Sequence, residues 1–411
     1  MKQSPGTKVY QVPGIMSFRF FGLLLLFCSL RIAAQQERTQ YPFFLSDHTY
    51  FEVDISYIQN HFSNLQVEPG YHAASLNRPP IGVRLILYGY RFNKYLSAQV
   101  SYMRPIWWVH YVNVNGDKVR HSLPTNIAGL TVKFQSPLSG KLFAYGEAGL
   151  GIVTRTGFSI NSIPIVKNAN YTSTLLAAGL QYPLNDRLTL QAGGGWSPEN
   201  KKSKNPATVF FTAGMIYNVH KLSPLKVKEN ENSGFIFPEN LLQIGYTSNV
   251  LGYGTNNFFS NTVFPIFWGG DAEVRQGMSI HYQRNVFHGR KLFSLDWGAS
   301  VSYWQSKIQR QNFYAISLYP LFRFTTFHSR NCDLYFDYSV PGPSFISKVV
   351  IDDVKTGKKF TFQDFMGMGA YFGKRRRTNA EIRILHYSNG DLFPDNNGIK
   401  VPLSFYAGYT F

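Results

Sequence analysis

From Tyr50 onward the chain alternates apolar and polar residues in strand-length stretches, separated by breaks rich in Gly, Asn, Pro and Lys. This period of two is the mark of strands with two unlike faces. The first half predicts strands near residues 50–59, 81–92, 95–110, 122–135, 141–155, 170–183, 187–197 and 206–219. The second half predicts strands near 240–252, 272–285, 290–304, 313–326, 331–340, 360–373, 380–389 and 400–411. Between them, Lys221 to Gly234 is polar, charged and punctuated by Pro and Gly, the composition of a linker or exposed turn. No long helical period appears. Each half holds an even number of strands that closes a small barrel with no free edge. The expected fold is all-β, with two consecutive eight-stranded antiparallel transmembrane barrels favoured over one barrel of sixteen strands. The expected layout is an N-terminal barrel over 45–220, a linker over 221–238 and a C-terminal barrel over 239–411. In the last strand Val401, Leu403, Phe405, Ala407, Tyr409 and Phe411 share the face expected to meet lipid.

Composition places these barrels. The chain has 35 Phe, 26 Tyr and 6 Trp, only 16% of its residues are charged, and no apolar stretch beyond the N-terminus approaches the length of a membrane helix. Arg19 precedes an apolar run from Phe20 to Leu30, and Ile32-Ala33-Ala34 resembles a signal-peptidase site. Residues 1–36 therefore read as an export signal, with Met16 an alternative start. Phe27 before Cys28 is too bulky for a lipoprotein box, and cleavage leaves Cys332 alone, so no internal disulfide is expected. An exported, aromatic chain that crosses with strands belongs in the outer membrane of a bacterium. The net charge of +18 sits in turns and linkers, Lys201, Lys202, Lys204 and Lys374 to Arg377 among them. That placement reads as solvated turns, with Arg375 to Arg377 one of them, or as attraction to phosphorylated lipid, and not as a nucleic-acid groove.

The candidate chemistry lies near the C-terminus. His386 and Ser388 are two apart on a strand and so share a face with Ile382 and Ile384, opposite Glu381, Arg383, Leu385 and Tyr387. Two apolar members set against two charged ones point the first set outward, toward lipid. Counting strands from Asn240 puts the turn at Lys374 to Thr378 on the periplasmic side, so the next strand climbs and ends at the outer leaflet. Taken alone, a His-x-Ser pair at a barrel rim reads as a polar cap at the membrane interface.

The stretch His386-Tyr-Ser-Asn389, then Asn396-Asn-Gly398, then a final amphipathic strand, resembles the C-terminal signature of the lipid A 3-O-deacylase (PagL) or acyloxyacyl hydrolase family. Tyr338-Ser-Val-Pro-Gly-Pro-Ser-Phe-Ile-Ser347 and Phe360-Thr-Phe-Gln-Asp-Phe-Met-Gly-Met-Gly369 are similar to segments of Bacteroidetes-type members. The resemblance covers about residues 240–411; the first half resembles only a generic outer-membrane barrel. It implies a serine esterase acting on lipid A or a related outer-leaflet lipid, with no metal or cofactor. Ser388 would be the nucleophile and His386 the base, with Asn389, Gly390 and Asn396 about the oxyanion. The acyl chain would lie along Ile382 and Ile384.

One position departs from the family. The glutamate expected two residues after Gly398 is Lys400, so either another carboxylate orients His386 or activity is reduced or lost. Asp364 is the candidate acid, because a hairpin centred near residue 376 sets it opposite Ser388 on the outward face; Asp391 and Asp395 are fallbacks. The alternative reading is a structural or lipid-binding barrel that has lost its acid. A pore is disfavoured, since eight strands leave an interior filled by side chains. The sequence has no G-x-S-x-G elbow, phosphate-binding glycine loop or H-E-x-x-H motif, and its other histidines lack metal-ligand spacing.

Overall fold

The computed structural model describes residues 38–261 and 270–411, so the export-signal reading of residues 1–36 lies outside the described residues. In the first strand Glu52, Asp54 and Ser56 are buried, whereas Val53, Ile55 and Tyr57 are 62%, 69% and 48% exposed. That is the reverse of a soluble sandwich: polar side chains face a closed interior and apolar ones face the surroundings.

Eight strands of this kind form the first barrel: β1 (Thr49–Asn60), β2 (Ile81–Arg91), β3 (Leu96–Pro105), β4 (Thr125–Ser139), β5 (Leu142–Arg155), β6 (Ala169–Pro183), β7 (Leu188–Ser197) and β8 (Thr208–Asn218). Each pairs antiparallel with its sequence neighbours, and β1 closes on β8 with Tyr57 opposite Phe211. The second barrel repeats the plan with β9 (Asn240–Ser248), β10 (Ala272–His288), β11 (Phe293–Ser306), β12 (Asn312–His328), β13 (Cys332–Ile346), β14 (Phe360–Phe372), β15 (Thr378–Ser388) and β16 (Ile399–Thr410), where Leu241 faces Thr410 across the closure. The fold is thus two closed eight-stranded barrels, as expected, and not one of sixteen strands.

In both barrels the connections at one end are short, such as 92–95, 140–141, 329–331 and 373–377, and those at the other are longer apart from 307–311. Short turns mark the periplasmic end. Ser388, at the far end of β15, therefore stands at the outer rim.

The interiors are filled by charged networks. Arg84 donates to Glu147 (2.6 Å) and Lys133 to Glu52 (3.2 Å) in the first barrel. In the second, Arg383 binds Glu381, Arg323 binds Asp296, and His281 Nδ1 meets the Tyr319 hydroxyl at 2.7 Å. Burying these charges is tolerable because each has an opposite charge or hydrogen-bonding partner.

Several features were not foreseen. Above the first barrel, the strands Ala73–Asn77, Val109–Val114 and Arg120–Leu123 form a small sheet. Together with the hairpin Phe158–Ile160 and Ile163–Val166 it encloses a second apolar core of Phe62, Val67, Tyr111, Leu123 and Ile165. The linker contains a helix, Pro224–Glu231, started by Ser223, whose hydroxyl accepts from Lys226 N, and by Pro224 in the first turn. Beyond it Phe235 stacks on His328 and Phe237 on His288, with ring centroids 4.0 and 4.3 Å apart, so the end of the linker lies against the periplasmic rim of the second barrel. The strand expected over 240–252 ends at Ser248, gives way to a 3-10 turn over Asn249–Leu251, and is followed by a further helix, Gly254–Asn261.

The turn Arg375 to Arg377 needs correction. Arg375 and Arg377 are exposed, but Arg376 is 2% exposed: a left-handed backbone (φ 55°) folds its side chain inward. Its guanidinium donates to both carboxylate oxygens of Asp333 (2.6 and 2.9 Å) and to the Gly373 and Arg330 carbonyls (2.7 and 3.0 Å). Arg376→Ala leaves the buried Asp333 carboxylate with only the His328 ring beside it (Nδ1 to Oδ1 2.5 Å) among the described side chains and should cost about 3–5 kcal/mol of stability, read by urea unfolding in detergent; a loss under about 1 kcal/mol would mean that His328 and water suffice for Asp333.

Candidate active site

β14 and β15 form one hairpin, and its register brings the candidate residues together. Asp364 lies opposite His386, Phe362 opposite Ser388, Met366 opposite Ile384 and Met368 opposite Ile382. The hairpin centre is one residue nearer the N-terminus than expected, so Asp364 faces His386 rather than Ser388. Parity on β15 is as expected: Glu381, Arg383 and Tyr387 join the interior network, and Ile382, Ile384, His386 and Ser388 look outward. On β13 the register shifts between Ser339 and Gly342, where Pro341 has no N–H to give the ladder. This irregularity lies directly beside Asp364.

His386 Nδ1 hydrogen-bonds Asp364 Oδ1 at 2.9 Å, and the two residues are 3% and 8% exposed. With Nδ1–H donated to the carboxylate, Nε2 carries the lone pair and can accept a proton. Ser388 follows on the same face roughly 6.6 Å farther along the strand. It is half-buried, and its Oγ makes no hydrogen bond among the described residues. Down the wall toward the membrane centre, exposure rises from Ile384 (2%) to Ile382 (40%) and Met368 (64%). An apolar strip therefore leads from open lipid to the histidine.

The loop after Ser388 is held by its own amides. Asn396 Oδ1 accepts from Asn389 N (2.7 Å) and its Nδ2 donates to Asp391 Oδ1 (3.0 Å), so this side chain is committed to loop structure. Asn389 is fully buried; its Oδ1 accepts from Phe393 N (3.4 Å), while its Nδ2 has no partner among the described residues. A buried amide donor without an acceptor is costly unless something else supplies one. Gly390 and Asp391 follow in left-handed conformation (φ 59° and 57°). Burial pushes the Asp391 carboxyl above its ordinary range, against the Asn396 hydrogen bond and the Arg104 charge. Asp395 accepts from Asn168 Nδ2 at 3.4 Å. Neither fallback acid is a hydrogen-bond partner of His386.

The final strand departs from its expected parity. Between Arg383 and Leu385 the register shifts, with Arg383 opposite Ser404 but Leu385 opposite Val401. Phe405 and Tyr409 face outward as expected, whereas Val401 turns inward with Ile399 and is fully buried. The same slip brings Lys400 opposite His386. Its ammonium pairs with Glu273 Oε1 (3.1 Å) and donates to Asn257 Oδ1 (3.2 Å). Glu273 reaches this place because β10 begins parallel to β16. Lys307 holds its other oxygen at 2.6 Å. No cluster of three metal-binding side chains occurs among the described residues.

Residues 276–410 match the family model for lipid A 3-O-deacylase (PagL), and residues 77–223 match that for the OmpA-like transmembrane domain. Among solved structures the chain is similar to the outer membrane enzyme PagL (17% identity, 42% of this chain and 99% of that one, TM-score 0.30). It is also similar to the N-terminal β-barrel domain of Pseudomonas aeruginosa OprF (17% identity, 41% and 96%, TM-score 0.25) and to Ail of Yersinia pestis (17% identity, 41% and 95%, TM-score 0.27). No curated protein matches the chain. The protein is thus an outer-membrane chain of two barrels, the first matching the OmpA-like transmembrane domain and the second the lipid A 3-O-deacylase (PagL) domain.

Proposed function

We propose that the second barrel is a serine esterase that removes an ester-linked acyl chain from lipid A or a related outer-leaflet lipid. The observation that carries this reading is the hydrogen bond from His386 to Asp364 on the outward wall, two residues below Ser388. The carboxylate that Lys400 cannot provide comes from the neighbouring strand. This weighs against the alternative of a barrel left without an acid.

In the reaction Ser388 Oγ attacks the ester carbonyl while its proton passes to His386 Nε2, and Asp364 stabilises the imidazolium that results. The oxyanion accepts from Asn389 Nδ2, the buried donor left without a partner, and from the Gly390 N–H. Asn396 serves by shaping the loop. Collapse expels the sugar alkoxide, which takes the proton back from His386. Water then attacks the acyl-serine, again with His386 as base, freeing the fatty acid and restoring Ser388. The acyl chain lies over Ile382 and Ile384, with Met366 and Met368 beside them. Lys355, Lys358 and Lys359, in the outer loop between β13 and β14, face the headgroup phosphates.

Incubating the purified protein with lipopolysaccharide in detergent tests the reading by mass spectrometry of lipid A. A product lighter by one acyl group is expected, and lipid A of unchanged mass after long incubation would overturn it.

A further inference from the structure

The two barrels touch at the outer rim through a polar row that the esterase chemistry does not use. Asn126 on β4, Thr154 on β5 and Asn170 on β6 face one another across adjacent strands, and Tyr102 on β3 lies one row below, opposite Ala128. All four have outward parity, on a wall whose next members are lipid-facing: Leu130, Leu150 and Ile152 are 61%, 59% and 37% exposed. Polar side chains on such a wall need partners. They find them in the second barrel. The Tyr102 hydroxyl donates to the Gly390 carbonyl (3.1 Å), Asn126 Nδ2 to that of Asp391 (2.6 Å), and Thr154 Oγ1 and Asn170 Nδ2 both to that of Leu392 (2.8 Å each). Asn170 Nδ2 also donates to Thr154 Oγ1 (2.8 Å), which locks the row together.

Three consecutive backbone carbonyls of one loop are therefore capped by the wall of the other barrel. The amides of the same turn point the opposite way: Leu392 N donates to Asn389 O (3.1 Å) and Phe393 N to Asn389 Oδ1 (3.4 Å). Fixing the carbonyl side of the turn fixes its amide side, and with it the place of the Asn389 side chain. Two successive left-handed residues at 390 and 391 do not hold such a shape by local preference alone, because Asp391 pays a steric penalty there.

We propose that the first barrel is a positioning domain for the second, and that Tyr102, Asn126, Thr154 and Asn170 are positioning residues that hold the loop 389–393 in its oxyanion-binding shape. The catalytic half of this statement rests on the esterase reading; the structural half does not. A fusion of two barrels then has a physical purpose, since the second needs the first as a wall to lean its loop against.

The test uses the full chain carrying Asn126→Ala, Thr154→Val and Asn170→Ala together, with Tyr102→Phe as a single-atom variant that preserves every ring contact. The first readout is chymotrypsin cleavage after Leu392 in detergent, since the bond after Phe393 leads into Pro394 and is resistant. The triple variant should be cut at least tenfold faster than the wild type, and Tyr102→Phe by a smaller factor. The second is deacylation of lipopolysaccharide: kcat should fall roughly ten- to hundredfold with KM within twofold, because the loop shapes the transition state and not the acyl strip. Thr154→Ser, which keeps the donor, should retain wild-type values in both. Unchanged cleavage in both donor-deleting variants would overturn the clamp, and faster cleavage with unchanged kcat would overturn the positioning role. If the wild type itself releases no acyl chain, the esterase reading has failed, and the cleavage comparison still decides whether the clamp exists.

Discussion

Ser388→Ala is expected to lower fatty-acid release from purified lipopolysaccharide by a factor on the order of 10³ or more, with the barrel intact. The oxygen removed is the only atom that the proposed mechanism joins covalently to substrate, and without it the oxyanion donors and the acyl strip stabilise an attack that has no nucleophile. Folding gives no competing explanation: Oγ makes no hydrogen bond among the described residues, and the residue ends its strand at the rim. Release equal to that of the wild type, measured on the same lipid at the same protein concentration, would remove Ser388 from the mechanism.

Asp364→Asn should be nearly as damaging, with kcat down by about 10³–10⁴, the scale seen when a triad aspartate becomes an amide. Asparagine keeps the shape but offers the imidazole either a neutral oxygen or an N–H, so the proton that belongs on Nδ1 is no longer held there by a negative charge. The result distinguishes Asp364 from the two loop carboxylates. Asp391 and Asp395 have their own partners in Asn396 and Asn168, and if either were the true acid, Asp364→Asn would leave kcat within a few fold of the wild type.

Much of this arrangement could be read from residue patterns. All sixteen barrel strands follow from the alternation, because a wall between lipid and a packed interior imposes two unlike faces along its whole length. The pairing of Asp364 with His386 follows to within two residues from the symmetry of one hairpin, which needs only local sequence. What escaped depends on irregularity or on distance. Alternation alone places Val401 on the lipid face, but a register shift in β16 turns it inward, and such a slip leaves alternation intact on either side. The outer cap escaped because its strands of three to six residues gain their core only from one another. Glu273, partner of Lys400, and the row Asn126, Thr154 and Asn170, partner of the 389–393 loop, are tied to their targets across more than a hundred residues. Their only trace in sequence is a polar residue where the lipid face calls for an apolar one.

The charged networks that fill both cylinders also bear on how the proposed esterase would be inhibited. With Arg84, Lys133, Arg323 and Arg383 braced across the interiors, the described residues leave no route through the lumen, and on the proposed reading His386 is reached sideways along the strip from Met368 to Ile384. An effective blocker must first dissolve among the acyl tails of the outer leaflet. Its potency should then follow its partition coefficient as closely as its fit, and a water-soluble ester mimic should look inert however well it matches the proposed catalytic groups.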